Sequence, residues 1–380
     1  MLGALLAAVA SGGGCSKRGE AKITGSSSAP PVSLQCFWLP GNTYRLHLEM
    51  TQITDLERPE PNESSQHFVG YDQDYLIKVT EGNRAGTVNL DMQILALGME
   101  RANAGKKALS FNSEQGGETM DELGYIPVLK RLIGGHVRFQ VSSNGTVLRV
   151  EGVSEWLERA MRSTNVPAMT SVMLEDPLDP GINPPPAVRV IRQGGRTITT
   201  SSSSSSSSGV GGKVGSTLRS FFSQDHFKQM VELPFLPPTP VRIGDVWSAR
   251  GDTPISTRGR FRYEASCKFE GWQMHSGTNC ARIGVEGTLG GSNLPPGAKP
   301  PAKPKNLHAT VWVNTELQFP ATLVIDKSTW APPDSSTRLA GTNRVTSTQP
   351  QKVIQQRAAT TLLWAGPSTN LPPAGDPLGK

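Results

Sequence analysis

The sequence has no long hydrophobic run, and its apolar residues make up 36% of 380 positions. A membrane-spanning helix needs about 20 consecutive apolar residues, so a polytopic membrane protein is excluded. The composition also excludes a coiled coil and collagen, whose repeats would dominate it. Glycine (40) and proline (30) are both abundant. With few apolar residues to bury, this balance disfavours a compact enzyme of the doubly wound α/β type.

The chain contains no complete catalytic or metal-binding motif. None of the six histidines lies four residues from another, and Cys-x-x-Cys and Gly-x-Ser-x-Gly are missing. A glycine-rich stretch at Gly209–Ser216 has Ser207 and Val214 where a phosphate-binding loop needs Gly and a hydroxyl. We therefore expect no enzyme activity, no cofactor and no metal. A cleft that placed His136 or His226 beside two carboxylates would favour an enzyme.

The N-terminus has the pattern of an export signal. Leu2–Ala10 is entirely apolar, within the length of a secretory hydrophobic region, and is followed by small residues and Cys15. This order is typical of a bacterial lipoprotein signal, in which the Cys is acylated. We expect a signal peptide over 1–14, lipid attachment at Cys15, and a protein anchored in the envelope membrane facing the periplasm. The alternatives are a soluble secreted protein cleaved after Ala10, or an apolar N-terminus on a cytosolic chain.

Three cysteines remain if Cys15 is lipidated: Cys36, Cys267 and Cys280. Cys267 and Cys280 fall on two consecutive strand-like runs joined by a glycine-containing loop. A cross-strand disulfide between them is geometrically reasonable. Two small buried thiols fit the same pattern equally well, so the sequence leaves both readings open.

Alternation of apolar and polar residues predicts a mainly β fold. Tyr44–Met50 alternates with period two, and the same pattern returns throughout the chain. Glu81–Arg84 and Asn144-Gly145 each separate two such runs, which predicts two hairpins. Further strands are predicted at Val241–Ala249, Phe261–Phe269, Cys280–Glu286, Ala309–Leu317, Thr322–Ile325 and Val353–Trp364. These strands and hairpins favour antiparallel sheets, arranged as a half-barrel or a sandwich.

A few short helices interrupt the strands. Val153, Trp156, Leu157 and Ala160 share one helical face. A helix over Ile126–Ile133 is possible only if Pro127 lies in its first turn. Another is predicted around Phe227 and Met230, capped by Ser223 or Asp225. These helices are expected to pack against the sheets.

Composition divides the chain into segments. Ser201–Ser208 is an unbroken serine run preceded by many prolines, and such a stretch cannot bury enough apolar area to fold. The expected organisation is two sheet-rich lobes separated by a disordered insertion. Its parts are the signal peptide 1–14, a tether 15–36, an N-terminal lobe 37–175, the insertion 176–217, a C-terminal lobe 218–365 and a disordered tail 366–380.

The passage Leu233–Trp247 reads Leu-Pro, then Pro-Val, then Gly-Asp-Val-Trp. It resembles a signature of an uncharacterised family of bacterial envelope lipoproteins, many of them from planctomycete-type bacteria. In members similar to this chain a strand pair around a Cys follows, which here would be Phe261–Phe269 and Cys280–Glu286. The resemblance implies an envelope location and a sheet-rich architecture. It implies no catalytic residues, because the family has no established activity.

The net charge of +6 is dispersed. One local basic cluster, Lys299, Lys303 and Lys305, lies among prolines without aromatic residues, which argues against a nucleic-acid partner. It is either a solvated linker or a loose contact for anionic lipids or wall polymers. The leading hypothesis is an exported, lipid-anchored binding or structural module whose ligand the sequence does not name. The alternative is a carrier of lipid or another apolar ligand in a curved-sheet cavity.

The export hypothesis predicts a processed N-terminus. Mass spectrometry of the mature protein from its native host is expected to find Cys15 as the first residue, carrying acyl chains. An intact, unmodified Met1 would contradict export.

Overall fold

The computed structural model describes residues 22–26, 28–56, 66–103, 106–114, 120–122, 124–143, 145–162, 218–219, 221–233, 235–254, 260–291, 306–331 and 352–370. The expected signal peptide, Cys15, the insertion 176–217 and most of the tail lie outside these residues. The described tail begins in strand, because the last strand continues to Pro367 and a 3-10 turn over Ser368–Asn370 follows it.

Antiparallel strands make up most of the described chain, as the alternation predicts. They are β1 (Asn42–Leu56), β2 (Gln66–Glu81), β3 (Thr87–Asn103), β4 (Lys106–Asn112), β5 (Met120–Asp121), β6 (His136–Ser142), β7 (Val147–Glu151), β8 (Val246–Pro254), β9 (Arg260–His275), β10 (Thr278–Gly291), β11 (Asn306–Asn314), β12 (Phe319–Ala331) and β13 (Lys352–Pro367). Both predicted hairpins form, β2–β3 and β6–β7. The mainly β prediction is confirmed.

All thirteen strands belong to one sheet, with the order β5-β4-β3-β2-β1-β13-β12-β11-β10-β9-β8. β6 pairs with β3, and β7 pairs with β6. The first and last strands meet in a ladder from Asn42↔Pro367 to Leu56↔Lys352. The two halves of the chain are therefore one continuous sheet with two hydrophobic clusters, one mainly N-terminal and one mainly C-terminal.

The C-terminal half of the sheet curls around its inner face. The ammonium of Lys327 on β12 lies 2.5 Å from the hydroxyl of Thr253 on β8. Three strands, β9 to β11, separate these two strands in the sheet order. A flat sheet would hold them more than 15 Å apart, since neighbouring strands lie about 4.8 Å apart. The contact across the interior therefore requires strong curvature.

Three described helices cover the inner face: α1 (Ile126–Leu132), α2 (Val153–Arg162) and α3 (Gln224–Val231). Pro127 lies in the first turn of α1, as the sequence requires. Trp156 of α2 donates from its indole nitrogen to the carbonyl of Leu132 at 3.2 Å. A Cβ on Gly135 would collide with that indole. Glycine is therefore needed at this position, where the chain passes beneath α2 just before β6.

The Gly-Asp-Val-Trp passage has a structural role. Gly244 has φ +95°, a left-handed conformation that favours glycine. The Asp245 carboxylate accepts from the Arg242 N–H at 2.7 Å and closes the turn. Because of this turn β8 begins at Val246 and not at Val241 as expected. The Trp247 indole donates to the Phe235 carbonyl at 3.1 Å and fixes the proline-rich segment against the sheet.

Phe227 of α3 is fully buried in the N-terminal cluster, 5.9 Å from the ring of Trp156. We predict that Phe227→Ala lowers the free energy of unfolding by about 3–5 kcal/mol, because it leaves a cavity in a close-packed core. Urea titration followed by tryptophan fluorescence measures the change. Leu148→Ala is the control, since this side chain is 54% exposed and its loss should cost about 0.5 kcal/mol or less. Equal effects for the two variants would contradict this packing.

Candidate functional site

Helix α3 lies between β7 and β8 and is tied to both. Its N-terminus is capped by the Ser223 hydroxyl, which accepts from the His226 N–H at 3.2 Å. Glu232, just after the helix, accepts from the Val147 N–H of β7 at 3.1 Å. The Gln229 side-chain amide donates to the Thr253 hydroxyl of β8 at 2.8 Å. The helix thus bridges two strands that do not pair with each other.

Lys327 extends from β12 into the interior beneath α3. Its ammonium donates to the Thr253 hydroxyl and, at 3.4 Å, to the Gln229 side-chain carbonyl. The residue is 6% exposed. No carboxylate of the described residues forms an ion pair with it. Burial without a counter-charge lowers the pKa of Lys327 to about 7.

The strand register places Lys327 in a polar row on the inner face of the sheet. Its direct neighbour on β13 is Gln356, and the neighbour of Gln356 on β1 is Gln52. Thr329 lies two residues further along the same face of β12. Gln52 and Gln356 each have a buried side-chain carbonyl oxygen without a hydrogen-bond partner, and the Thr329 hydroxyl also lacks one. Buried polar atoms without hydrogen-bond partners lower the stability of the folded protein. This part of the interior therefore differs from an ordinary apolar core.

His226 of α3 faces the same region. Its Nε2 atom is buried and has no hydrogen-bond partner. Burial first, and then the charge of Lys327, lower the pKa of His226 to about 4. The imidazole is therefore neutral at physiological pH. One of its ring nitrogens is left free to bond a guest.

A small cavity separates α3 from the sheet at this point, with a volume of about 50 Å³. Its walls are mostly apolar side chains of α3, β1, β12 and β13, and the polar groups that line it are His226, Gln229, Lys327 and Thr360. A water needs about 10–15 Å³ of such volume. The cavity is therefore large enough for a few waters or a small polar group, and too small for an acyl chain.

A larger open cleft lies on the other side of α3, with a volume of about 790 Å³. It is bounded by residues 35–38, the β6–β7 turn, α3, the proline-rich segment and the edge of β8. Gln229 and Leu233 line both the cleft and the cavity. The cleft contains aromatic and apolar surface from Phe37, Trp38 and Leu236. Charged side chains of α3 and β8 stand at its sides.

Cys36 also lines the cleft, but burial raises the pKa of its thiol far above the ordinary value. A thiol is nucleophilic only as the thiolate, so Cys36 is inert here. No cluster of three or more metal-ligating side chains occurs within the described ranges. The arrangement can bind a guest through hydrogen bonds, one ammonium and apolar contact.

The two cysteines proposed for a disulfide do not face each other. Cys267 pairs with Val285, while Cys280 pairs with Gln273 further along the β9–β10 ladder. Both are free, buried thiols. The disulfide alternative is therefore wrong in this structure, because the register separates the two residues along the ladder. Cys15 lies outside the described residues.

The other candidates from the sequence lie elsewhere. His136 contacts Asp91 at 3.0 Å on an exposed part of the sheet. Two tryptophans outside the cleft have partners of their own: the Trp247 indole donates to the Phe235 carbonyl, and the Trp312 ring stacks on the His275 ring. Among the described residues, Trp38 is the tryptophan that lines the cleft, and no sequence motif marks it.

Sequence reasoning missed Lys327. The alternation Leu323, Ile325, Lys327 places it on the buried face, and this signal was available. The predicted strand ended at Ile325, whereas the strand in the structure continues to Ala331 and includes Lys327. Gln229 and Thr253 carry no such signal, since only the curl of the sheet brings them to Lys327.

Comparison with known proteins gives a family match to part of the chain. Residues 85–179, about a quarter of its length, match a family of unknown function (DUF6263). None of the curated proteins matches. No helix among the parts of the chain that the structure describes is both long and apolar enough to cross a membrane.

Two solved structures align with most of this chain. One, concerned with lipid–protein interactions in lipovitellin, is 9% identical with a TM-score of 0.42, and covers 88% of this chain and 26% of that chain. This chain thus spans about a quarter of the lipovitellin chain. The other, from Bacteroides fragilis, is provisionally described as an exported protein with a YmcC-like fold. It is 8% identical with a TM-score of 0.23, covering 87% of this chain and 99% of that one. Both scores are too low to support an argument about function.

The buried ammonium predicts a pH-dependent stability. The pKa of Lys327 is lower in the folded than in the unfolded protein, so the unfolded state binds more protons between pH 7 and 10. The contribution of Lys327 to stability therefore rises with pH in this window, by up to about 1.4 kcal/mol per unit. Lys327→Met should remove this rise. The stability of the variant relative to the wild type should therefore be greatest at pH 6.

Urea titrations of wild type and variant at pH 6, 7, 8 and 9 measure the difference. Lys78→Met, at an exposed position of β2, is the matched control and should follow the wild-type pH profile. A constant difference between wild type and Lys327→Met across this range would contradict burial of an unpaired ammonium.

Proposed function

We propose that the protein is an exported, lipid-anchored bacterial envelope protein of the planctomycete-type family that the Leu233–Trp247 passage resembles. In this proposal it binds a small ligand without a catalytic step, in the cleft beside α3. The observation that carries the binding function is the cleft itself. Its volume of about 790 Å³ lies in the range of small-molecule sites, about 300–1,000 Å³. Apolar and polar groups converge on it from six parts of the chain, since Tyr263 of β9 also lines it.

The attachment of the N-terminal segment to the sheet supports an anchor close to the folded body. Thr24 and Trp272 exchange two backbone hydrogen bonds of 2.8 Å, and Val32 and Val241 form a second bridge. From Cys15 to Thr24 the chain can span at most about 30 Å. A lipid on Cys15 would therefore hold the body within about that distance of the membrane. The segment then continues into residues 35–38, which form one wall of the cleft.

A second candidate function is carriage of a lipid or other apolar ligand. The apolar lining of the cavity beneath α3 favours it, and the curled sheet provides a suitable frame. With a volume of about 50 Å³ the cavity excludes an acyl chain. Carriage would therefore need the cleft to hold the apolar part of the ligand. If cleavage occurred near Ala10, the same module would act as a soluble carrier.

The binding proposal is tested with N-phenyl-1-naphthylamine, a neutral amphiphile that fluoresces in apolar surroundings. The purified full chain is expected to enhance its fluorescence saturably. Leu236→Arg, which places a charge on the apolar wall of the cleft, should weaken binding about tenfold, or roughly 1.4 kcal/mol.

Leu363→Arg is the control, because Leu363 is a partly exposed residue of β13 away from the cleft. It should bind the probe as the wild type does. Urea titration shows that each variant is folded. Absence of any saturable enhancement in wild type, or equal binding by Leu236→Arg and wild type, would refute ligand binding in the cleft.

A further inference from the structure

We propose that the cavity beneath α3 is a head-group site for a single oxyanion, a carboxylate or a phosphate monoester, on an amphiphile whose apolar part lies in the cleft. This proposal rests on the proposed binding function and names the chemical class of its ligand. The ammonium of Lys327 would contact the anion directly. His226 and Gln229 would complete the site from α3.

The hydrogen-bonding groups around the cavity would bind a ligand that accepts hydrogen bonds. An ammonium has three donor hydrogens, and the Lys327 ammonium uses two of them on Thr253 and Gln229. The buried Nε2 of His226 has no partner and lines the same cavity. The Lys327 ammonium therefore keeps one donor hydrogen without an acceptor from the described residues, and Nε2 of His226 is a second donor in the tautomer that carries the proton on that atom. An oxyanion has several lone pairs and satisfies both groups at once.

The charges around the cavity leave the ammonium uncompensated. From α3 the titratable group facing Lys327 is His226, while the facing side chains of β8 and β13 are Thr253 and Gln356, which carry no charge. The adjacent Asp326 points to the opposite face of β12, where it pairs with Arg357 at 3.6 Å. A buried charge without a partner is costly. A guest anion supplies the missing partner.

The sizes of the cavity and of the cleft indicate which part of the ligand each would hold. The cavity accepts a group about the size of a carboxylate, and the cleft has room for a chain. Gln229 stands between them and bonds both Thr253 and Lys327. An anion that replaces the Gln229 carbonyl at Lys327 would free this side chain to move aside. The head group would then lie beneath α3 while the tail remains in the cleft.

The test compares three twelve-carbon amphiphiles on the full chain, each displacing N-phenyl-1-naphthylamine at pH 7. They are dodecanoate, dodecyl phosphate and uncharged dodecanol. Wild type is expected to bind at least one anion about tenfold or more tightly than dodecanol, as expected of a hydrogen bond to a charged group. Comparing the two anions distinguishes a carboxylate from a phosphate ligand.

Lys327→Met should abolish this preference, so that the variant binds the two anions no more tightly than dodecanol. Lys78→Met, which removes an exposed ammonium of β2, should retain the preference. Calorimetry of wild type at pH 8 in two buffers of different ionisation enthalpy adds a readout that needs no variant. Binding of the anion is expected to take up close to one proton, because the pKa of Lys327 rises when it is paired.

Equal affinity of wild type for the anions and for dodecanol would overturn the head-group site and leave the cleft proposal standing. The same holds if Lys327→Met keeps the anion preference, or if anion binding takes up no proton. If neither the probe nor any of the three amphiphiles binds, the proposed binding function itself fails.

Discussion

The ladder between β1 and β13 joins the two halves of the chain into one sheet. Without it, the strands before α1 and the strands after α3 would be separate sheets with exposed edges. The ladder also aligns Gln52 of β1 with Gln356 of β13, and Gln356 with Lys327 of β12. The polar row on the inner face is therefore a product of this long-range pairing. So is the position of α3, whose cavity is walled by residues from β1, β12 and β13.

Most of the inner face follows the usual rule that apolar side chains fill the interior. Tyr44, Leu46 and Leu48 of β1 are buried, and the helices add Trp156 and Phe227. The row around Lys327 breaks this rule with an ammonium and two amides. Replacing such groups with apolar residues of similar size is often neutral or stabilising in proteins. Their cost in stability is consistent with a role in binding, where an unmet charge becomes a source of affinity and specificity.

Much of the architecture could be predicted from periodicity alone. Alternation in β1 and β3, the hairpin signals and the amphipathic pattern of α2 depend on local sequence, and the structure contains all of them. The pairing of distant strands could not be predicted, because nothing in the local sequence of β1 indicates that it pairs with β13. The two expected sheet-rich regions accordingly form one sheet with two hydrophobic clusters.

The candidate site could not be predicted from the sequence either, because it also depends on contacts between distant strands. Lys327, Thr253 and Gln229 lie far apart in the sequence and meet only because the C-terminal strands curl. The Cys267–Cys280 pairing failed on register, since adjacency of two strands does not fix which residues face each other. Short-range signals thus identify elements, whereas chemistry in this fold depends on contacts between distant elements.

The most direct measurement is an NMR titration of the Lys327 side chain in the full chain, with and without dodecanoate. The signal is assigned by its loss in Lys327→Met. We predict a pKa near 7 for Lys327 in the free protein and a rise in this pKa when dodecanoate is bound. An ordinary lysine pKa of about 10.4 in the free protein would contradict a buried, unpaired ammonium and with it the proposed head-group site.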